Sequence, residues 1–112
     1  MTINVSTAGA TQGQTPESLL TLAEYLELSL DVGGSLVMVS PHVHTCAMYV
    51  GNPVGSRADL RSCGMIEKTL ADEIVDLTHA GVNRIEVDGQ VYRFIRRFAH
   101  ISRRAVVVFD PM

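Results

Sequence analysis

Apolar positions along this chain change period more than once, and each change predicts an element. Leu19, Leu22, Ala23, Leu26 and Leu30 recur at helical spacing and form one stripe. Thr15 suits an N-cap, Pro16 the first helical position and Glu17 the positive end of the helix, while Gly33-Gly34 supplies the stop. The short apolar run from Ser35 to Val39 predicts a buried strand. After Ser40-Pro41, the residues Val43, Cys46, Ala47 and Val50 keep helical spacing up to Gly51-Asn52-Pro53, which predicts a short helix. A second strand is its rival, because Val43, Thr45, Tyr49 and Val50 suit a sheet. Residues 51–63 read as a loop with a helical turn near Ala58. Ile66, Leu70, Ile74 and Leu77 then predict a helix over about 65–80, with Glu67, Lys68, Asp72, Glu73 and Asp76 turned away from the apolar face and His79 and Gly81 as stop signals.

From Val82 onward the period becomes two, which predicts strands at 82–88, 90–101 and 104–110. Asp88-Gly89 is the composition of a two-residue type I′ turn, and that turn fixes a register: Val87 faces Gln90, Ile85 faces Tyr92 and Asn83 faces Phe94. Ile85, Val87, Tyr92, Phe94 and Phe98 then share a core face beneath the helices, while Arg84, Glu86, Val91, Arg93, Ile95 and Arg97 share the other. Arg96 falls on the core face. A bulge at Arg96-Arg97 is the expected relief. Val106, Val107 and Val108 are apolar on both faces, so the last strand should be interior to the sheet.

The expected fold is therefore one α+β domain over residues 15–112, in the order α-β-α-α-β-β-β. Two main helices and one short helix pack on one face of a mostly antiparallel sheet of about four strands. Residues 1–14, rich in Thr, Gly, Ala, Gln and Ser, predict a flexible tail. A hydrophobic fraction of 46% supports one core without disulfides or metal, and two cysteines are too few for a disulfide scaffold. No apolar run reaches the roughly 18–20 residues of a membrane span, and the first residues lack the pattern of a secretory signal. The expectation is a soluble cytoplasmic protein with no membrane contact.

Charge is unevenly distributed. Residues 1–83 hold nine acids and three bases, whereas residues 84–112 hold three acids and six bases, all of them arginine. The asymmetry speaks about surfaces and partners. Arg84, Arg93, Arg97 and Arg104 are the candidate binding residues. Their planar forks suit carboxylates and phosphates, and Tyr92 and Phe94 alternate to the other face, so a base-stacking platform is not formed. A solvated outer face is the bland counterpart. The helix over 65–80 followed by a turn and a basic strand resembles the order of a winged helix, which implies a DNA-binding regulator as the alternative. Its four acids and single lysine are the wrong sign for phosphate, and nucleic acid is not the expected partner.

His42, His44, Cys46 and Cys63 are the remaining chemistry. On a strand, His42, His44 and Cys46 would point the same way and Cys63 could complete a tetrahedral site. On the expected helix, His44 turns away and the set fails. A thiol site at Cys46 or Cys63 lacks a C-x-x-C and an identifiable orienting residue. No metal, no cofactor and no catalytic residue is assigned. The expected role is non-enzymatic: binding of another macromolecule through the arginine-bearing sheet face or an uncovered strand edge. The expected partner is an acidic protein, a second copy of this chain included.

Overall fold

The computed structural model describes residues 15–40, 43–54 and 59–112. Along the chain run α1 (Glu17–Val32), β1 (Ser35–Val39), β2 (Thr45–Asn52), β3 (Asp59–Glu67), α2 (Lys68–Leu77), β4 (Gly81–Val87), β5 (Gln90–Ile101) and β6 (Arg104–Pro111). All six strands form one antiparallel sheet in the order β3-β2-β1-β6-β5-β4. The class is the expected α+β, with six strands in place of about four and two helices in place of three. The expected tail over residues 1–14 lies outside the described residues.

The elements divide into those that match the pattern and those that do not. β1, β5 and the Asp88-Gly89 hairpin fall where expected, and the pairs Val87–Gln90, Ile85–Tyr92 and Asn83–Phe94 are those fixed by the turn. Asp88 and Gly89 both adopt positive φ, at 52° and 79°, as a type I′ turn requires. β6 lies between β1 and β5, interior as its valines require. In α1, Pro16 occupies the N-cap position instead of the first helical one, and Gly33 closes the helix in the left-handed conformation.

The short helix after Ser40-Pro41 is instead the strand β2. Cys46, Ala47, Met48 and Val50 are all buried, on both faces of a central strand, so the residues show no alternation and mimic helical spacing. The segment read as a loop continues into β3, and the expected helix over 65–80 shortens to α2 because Met65, Ile66 and Glu67 complete that strand. Ile66 is apolar for the sheet, opposite Cys46.

α1 packs on β1, β2, β4 and β6 and on α2, which also touches β2 and β3. Leu22, Ala23 and Leu26 of α1 and Ala71 and Ile74 of α2 meet Leu36, Met38, Met48, Ile85, Val87, Phe94 and Phe109 in the main core. Phe94 and Phe109 are both fully buried and pack edge-to-face with centroids 5.7 Å apart. Gly64, at φ 155°, passes close beneath α1: a Cβ there would collide with the Tyr25 hydroxyl. α2 links β3 at one edge of the sheet to β4 at the other and packs on the same face as α1. No helix among the described residues is long and apolar enough to cross a membrane.

Candidate functional site: the helix-free face of the sheet

Alternation gives the sheet a second face, and among the described residues neither helix packs on it. Its centre is Val37 and Val39 of β1 and Val106 and Val108 of β6, with Tyr49, Leu60, Ala99 and Ile101 packed around them. All four valines are buried, so this is a small second core built from strand side chains alone. The arginines lie to one side of it, toward β4.

Register places each of them. Arg97 lies opposite Val108, Arg93 opposite Arg84, and Ile95 opposite both Asp110 and Val82. The corner therefore carries Arg84, Arg93 and Arg97 among exposed Val82 and Val91 and half-buried Ile95. Arg97 is already engaged: its Nε lies 2.7 Å from the Asp110 carboxylate, which also accepts from the Ser35 hydroxyl. Arg84 and Arg93 are like charges directly across the ladder, an unfavourable pairing that the Glu86 carboxylate relieves at 4.0 Å from Arg84. Among the described residues Arg93 makes no ion pair, so it offers its full fork to a carboxylate. Arg104 shares the face but stands opposite Ile101, eleven residues from Arg93 in sequence and at the far end of β5 from it. The separation along the strand is about 26 Å, so Arg104 is not part of the same patch.

Arg96 resolves differently from expectation. No bulge interrupts β5, whose pairing with β4 and with β6 is continuous. Arg96 stays on the helix face, 7% exposed, and its Nη1 donates to the Val75 carbonyl at 2.8 Å, the Thr78 carbonyl at 3.2 Å and the Thr78 hydroxyl at 3.1 Å. It thus satisfies the open carbonyls at the C-terminus of α2, where a cation also meets the negative end of the helix. Its guanidinium stacks 5.3 Å from the centroid of Phe98. Phe98 lies on the core face as expected, at the cleft it shares with Ala71 and Val75 of α2, and is 64% exposed.

The histidine and cysteine candidates do not converge. His42 lies outside the described residues, and His44 is exposed just before β2, its carbonyl accepting from the Lys68 amide. Cys46 is buried on the helix face beside the Ser40 hydroxyl, 2.9 Å away, and Cys63 sits at the β2–β3 bulge with its thiol donating to the Met48 carbonyl. Burial pushes the Cys63 thiol pKa up, away from the thiolate that nucleophilic or metal chemistry uses. No cluster of three metal-ligating side chains occurs among the described residues. Clefts of about 160 and 220 Å³ lie beside α1 and α2, below the roughly 300–1,000 Å³ of small-molecule sites. In α2, Ala71 and Ile74 are committed to the core, and Asp72, Glu73 and Asp76 face outward.

Asp110 and the capping role of Arg96 were not visible in the sequence. Asp110 is separated from Arg97 by the β5–β6 hairpin, and pairing the two needs the Ser102-Arg103 turn, which carries positive φ on residues that do not advertise it. No known protein family, no curated protein and no solved structure matches this chain.

Proposed function

We propose that this protein is a non-enzymatic binding module that takes an acidic segment of a partner protein on the helix-free face of its sheet. The observation that carries the reading is Arg93 exposed without an ion pair among the described residues, beside exposed Val82 and Val91 on a face that no described helix covers. Arginine with apolar neighbours is the composition enriched in protein contacts, and the planar fork binds carboxylates in a bidentate manner. The Arg97–Asp110 pair holds a second guanidinium in place beside it, preorganised to exchange or share its carboxylate.

The test is titration with a polyglutamate peptide, against a polylysine peptide as control, over a range of salt. Polyglutamate should bind, more weakly as salt rises, and the Arg93→Ala/Arg97→Ala variant should lose about tenfold or more in affinity. Binding that the double substitution leaves unchanged would place the site elsewhere. Equal binding of both peptides would remove the electrostatic basis of the proposal.

A further inference from the structure

The sheet has two edges, and they are built differently. β3 pairs with β2 through a register shift at Met48/Tyr49 and contains Gly64 at φ 155°. A bulge of this kind twists an edge away from further pairing. β4 has no such interruption: its seven residues pair with β5 in unbroken register from Gly81–Arg96 to Val87–Gln90. It contains no proline and no lysine, the usual guards of an edge. Among the described residues no strand lies on its outer side.

The two-residue Asp88-Gly89 turn makes Val87 and Gln90 a hydrogen-bonded pair, and the bonding alternates from there. Asn83, Ile85 and Val87 therefore turn their main-chain groups toward β5, and Val82, Arg84 and Glu86 turn theirs outward. The outward residues are also the ones whose side chains are exposed, with Val82 at 58%. An exposed main-chain row is an invitation to another strand, and the side chains decide which strand and in what register.

Two copies of β4 can pair antiparallel about a two-fold axis in only a few registers that join outward groups to outward groups. Centred on Arg84, the axis sets Arg84 against its own copy, a like-charge contact. Centred on Ile85, it sets Arg84 of each copy against Glu86 of the other, twice by symmetry, and joins Ile85, itself 9% exposed, to Ile85 across the axis. The alternation Arg-x-Glu, which on a lone edge would read as a charge guard, is complementary to itself in this one register. We propose that the protein forms a two-fold dimer by pairing β4 edges in the register centred on Ile85, extending the sheet continuously through both copies. Because the interface is isologous it closes, and the bulged β3 edge is left without a role in it. The edge and the face share Val82 and Arg84. The dimer is read by sedimentation of the Arg84 and Glu86 reversals, and the acidic-segment reading by peptide titration of the Arg93→Ala/Arg97→Ala variant, so the failure of one is distinguishable from the failure of the other.

Charge reversal tests the register on the full chain by analytical ultracentrifugation. The wild-type protein should show a concentration-dependent dimer. Arg84→Glu alone and Glu86→Arg alone should each weaken dimerisation by about tenfold or more, since each substitution acts at two symmetric places. The Arg84→Glu/Glu86→Arg double variant should restore it, and a mixture of the two single variants should form a heterodimer where neither alone does. Circular dichroism of each variant confirms that it is folded. A protein that stays monomeric up to millimolar concentration overturns the proposal, as does a dimer indifferent to both single reversals or one that the double reversal fails to restore.

Discussion

The same six strands build two faces that hold together by different means. On one face, Leu36, Met38, Met48, Phe94 and Phe109 are sealed by Leu22, Leu26, Ala71 and Ile74 from the helices. On the other, Val37, Val39, Val106 and Val108 are buried with only strand neighbours packed around them. Adjacent arginines in β5 show what this does to a charged side chain. Arg96, beneath the helices, is buried and bound to carbonyls at the end of α2. Arg97, one residue on, points to the other face, remains exposed and pairs with a single carboxylate. The helix-covered face turns a guanidinium into structure, whereas on the uncovered face Arg97 stays exposed with one carboxylate and Arg93 makes no ion pair among the described residues.

The sharpest way to break this contrast is to empty each core in turn. Phe94→Ala, which removes the ring packed on Phe109 beneath the helices, should cost about 3–5 kcal/mol in urea unfolding. Val108→Ala, on the other face, removes less volume and should cost about 2 kcal/mol, near the transfer value for a buried valine. If Val108→Ala matched Phe94→Ala, the second face would be as tightly closed as the first, and the distinction between a covered and an uncovered face would collapse.

Arg96 sharpens the comparison within β5. Arg96→Leu keeps bulk on the helix face but strips donors from the Val75 and Thr78 carbonyls, which are held near the chain end of α2. The Val75 carbonyl keeps weaker donors in the Thr78 amide and hydroxyl, whereas the buried Thr78 carbonyl loses its donor. The loss should cost about 1–3 kcal/mol, and hydrogen exchange should accelerate first in the last turn of α2. Exchange that quickens uniformly over the whole domain would show that Arg96 does not act as the helix terminus's partner.

How much of this was legible follows from which residues announce a period. The register of the β4–β5 hairpin was readable to the residue, because Asp88-Gly89 fixes the turn and polar residues mark one side of each strand, although β4 starts at Gly81 and the expected bulge in β5 is absent. β2 was not, because a strand buried on both sides has no polar marks, and Cys46, Ala47 and Val50 fit a helix as well as a strand. The error at β2 carried over to β3, since without β2 there was nothing for Asp59–Glu67 to pair with. For the site, the common face of Arg84, Arg93 and Arg97 followed from the hairpin alone. The occupation of Arg97 by Asp110 and the separation of Arg104 required the second hairpin, whose Ser102-Arg103 turn has positive φ at 52° and 67° without glycine or asparagine to signal it. The cap made by Arg96 required knowing where α2 ends in space, which no local pattern encodes.

The smallest effect lies at the seam where α1 meets β5. The Tyr92 hydroxyl donates to the Glu27 carboxylate at 2.6 Å, tying the helix layer to the start of the strand. That hydrogen bond to an anion favours the neutral phenol and pushes its pKa up to about 12, against about 10 for a free tyrosine. The sign follows from the direction: a raised pKa means that the folded state holds the proton more tightly than the unfolded one. The contribution is therefore complete below about pH 10, and is lost as pH rises through about 12. Because the bond is solvent-facing, its effect on unfolding should be slight, and ultraviolet titration of the phenol is the more sensitive readout. Tyr92 and Tyr25 should both ionise late, Tyr25 because burial raises its phenol pKa, and Glu27→Gln should bring Tyr92 alone back down. A titration unchanged by Glu27→Gln would detach α1 from β5 at this point and leave apolar burial alone to hold the helix on its face.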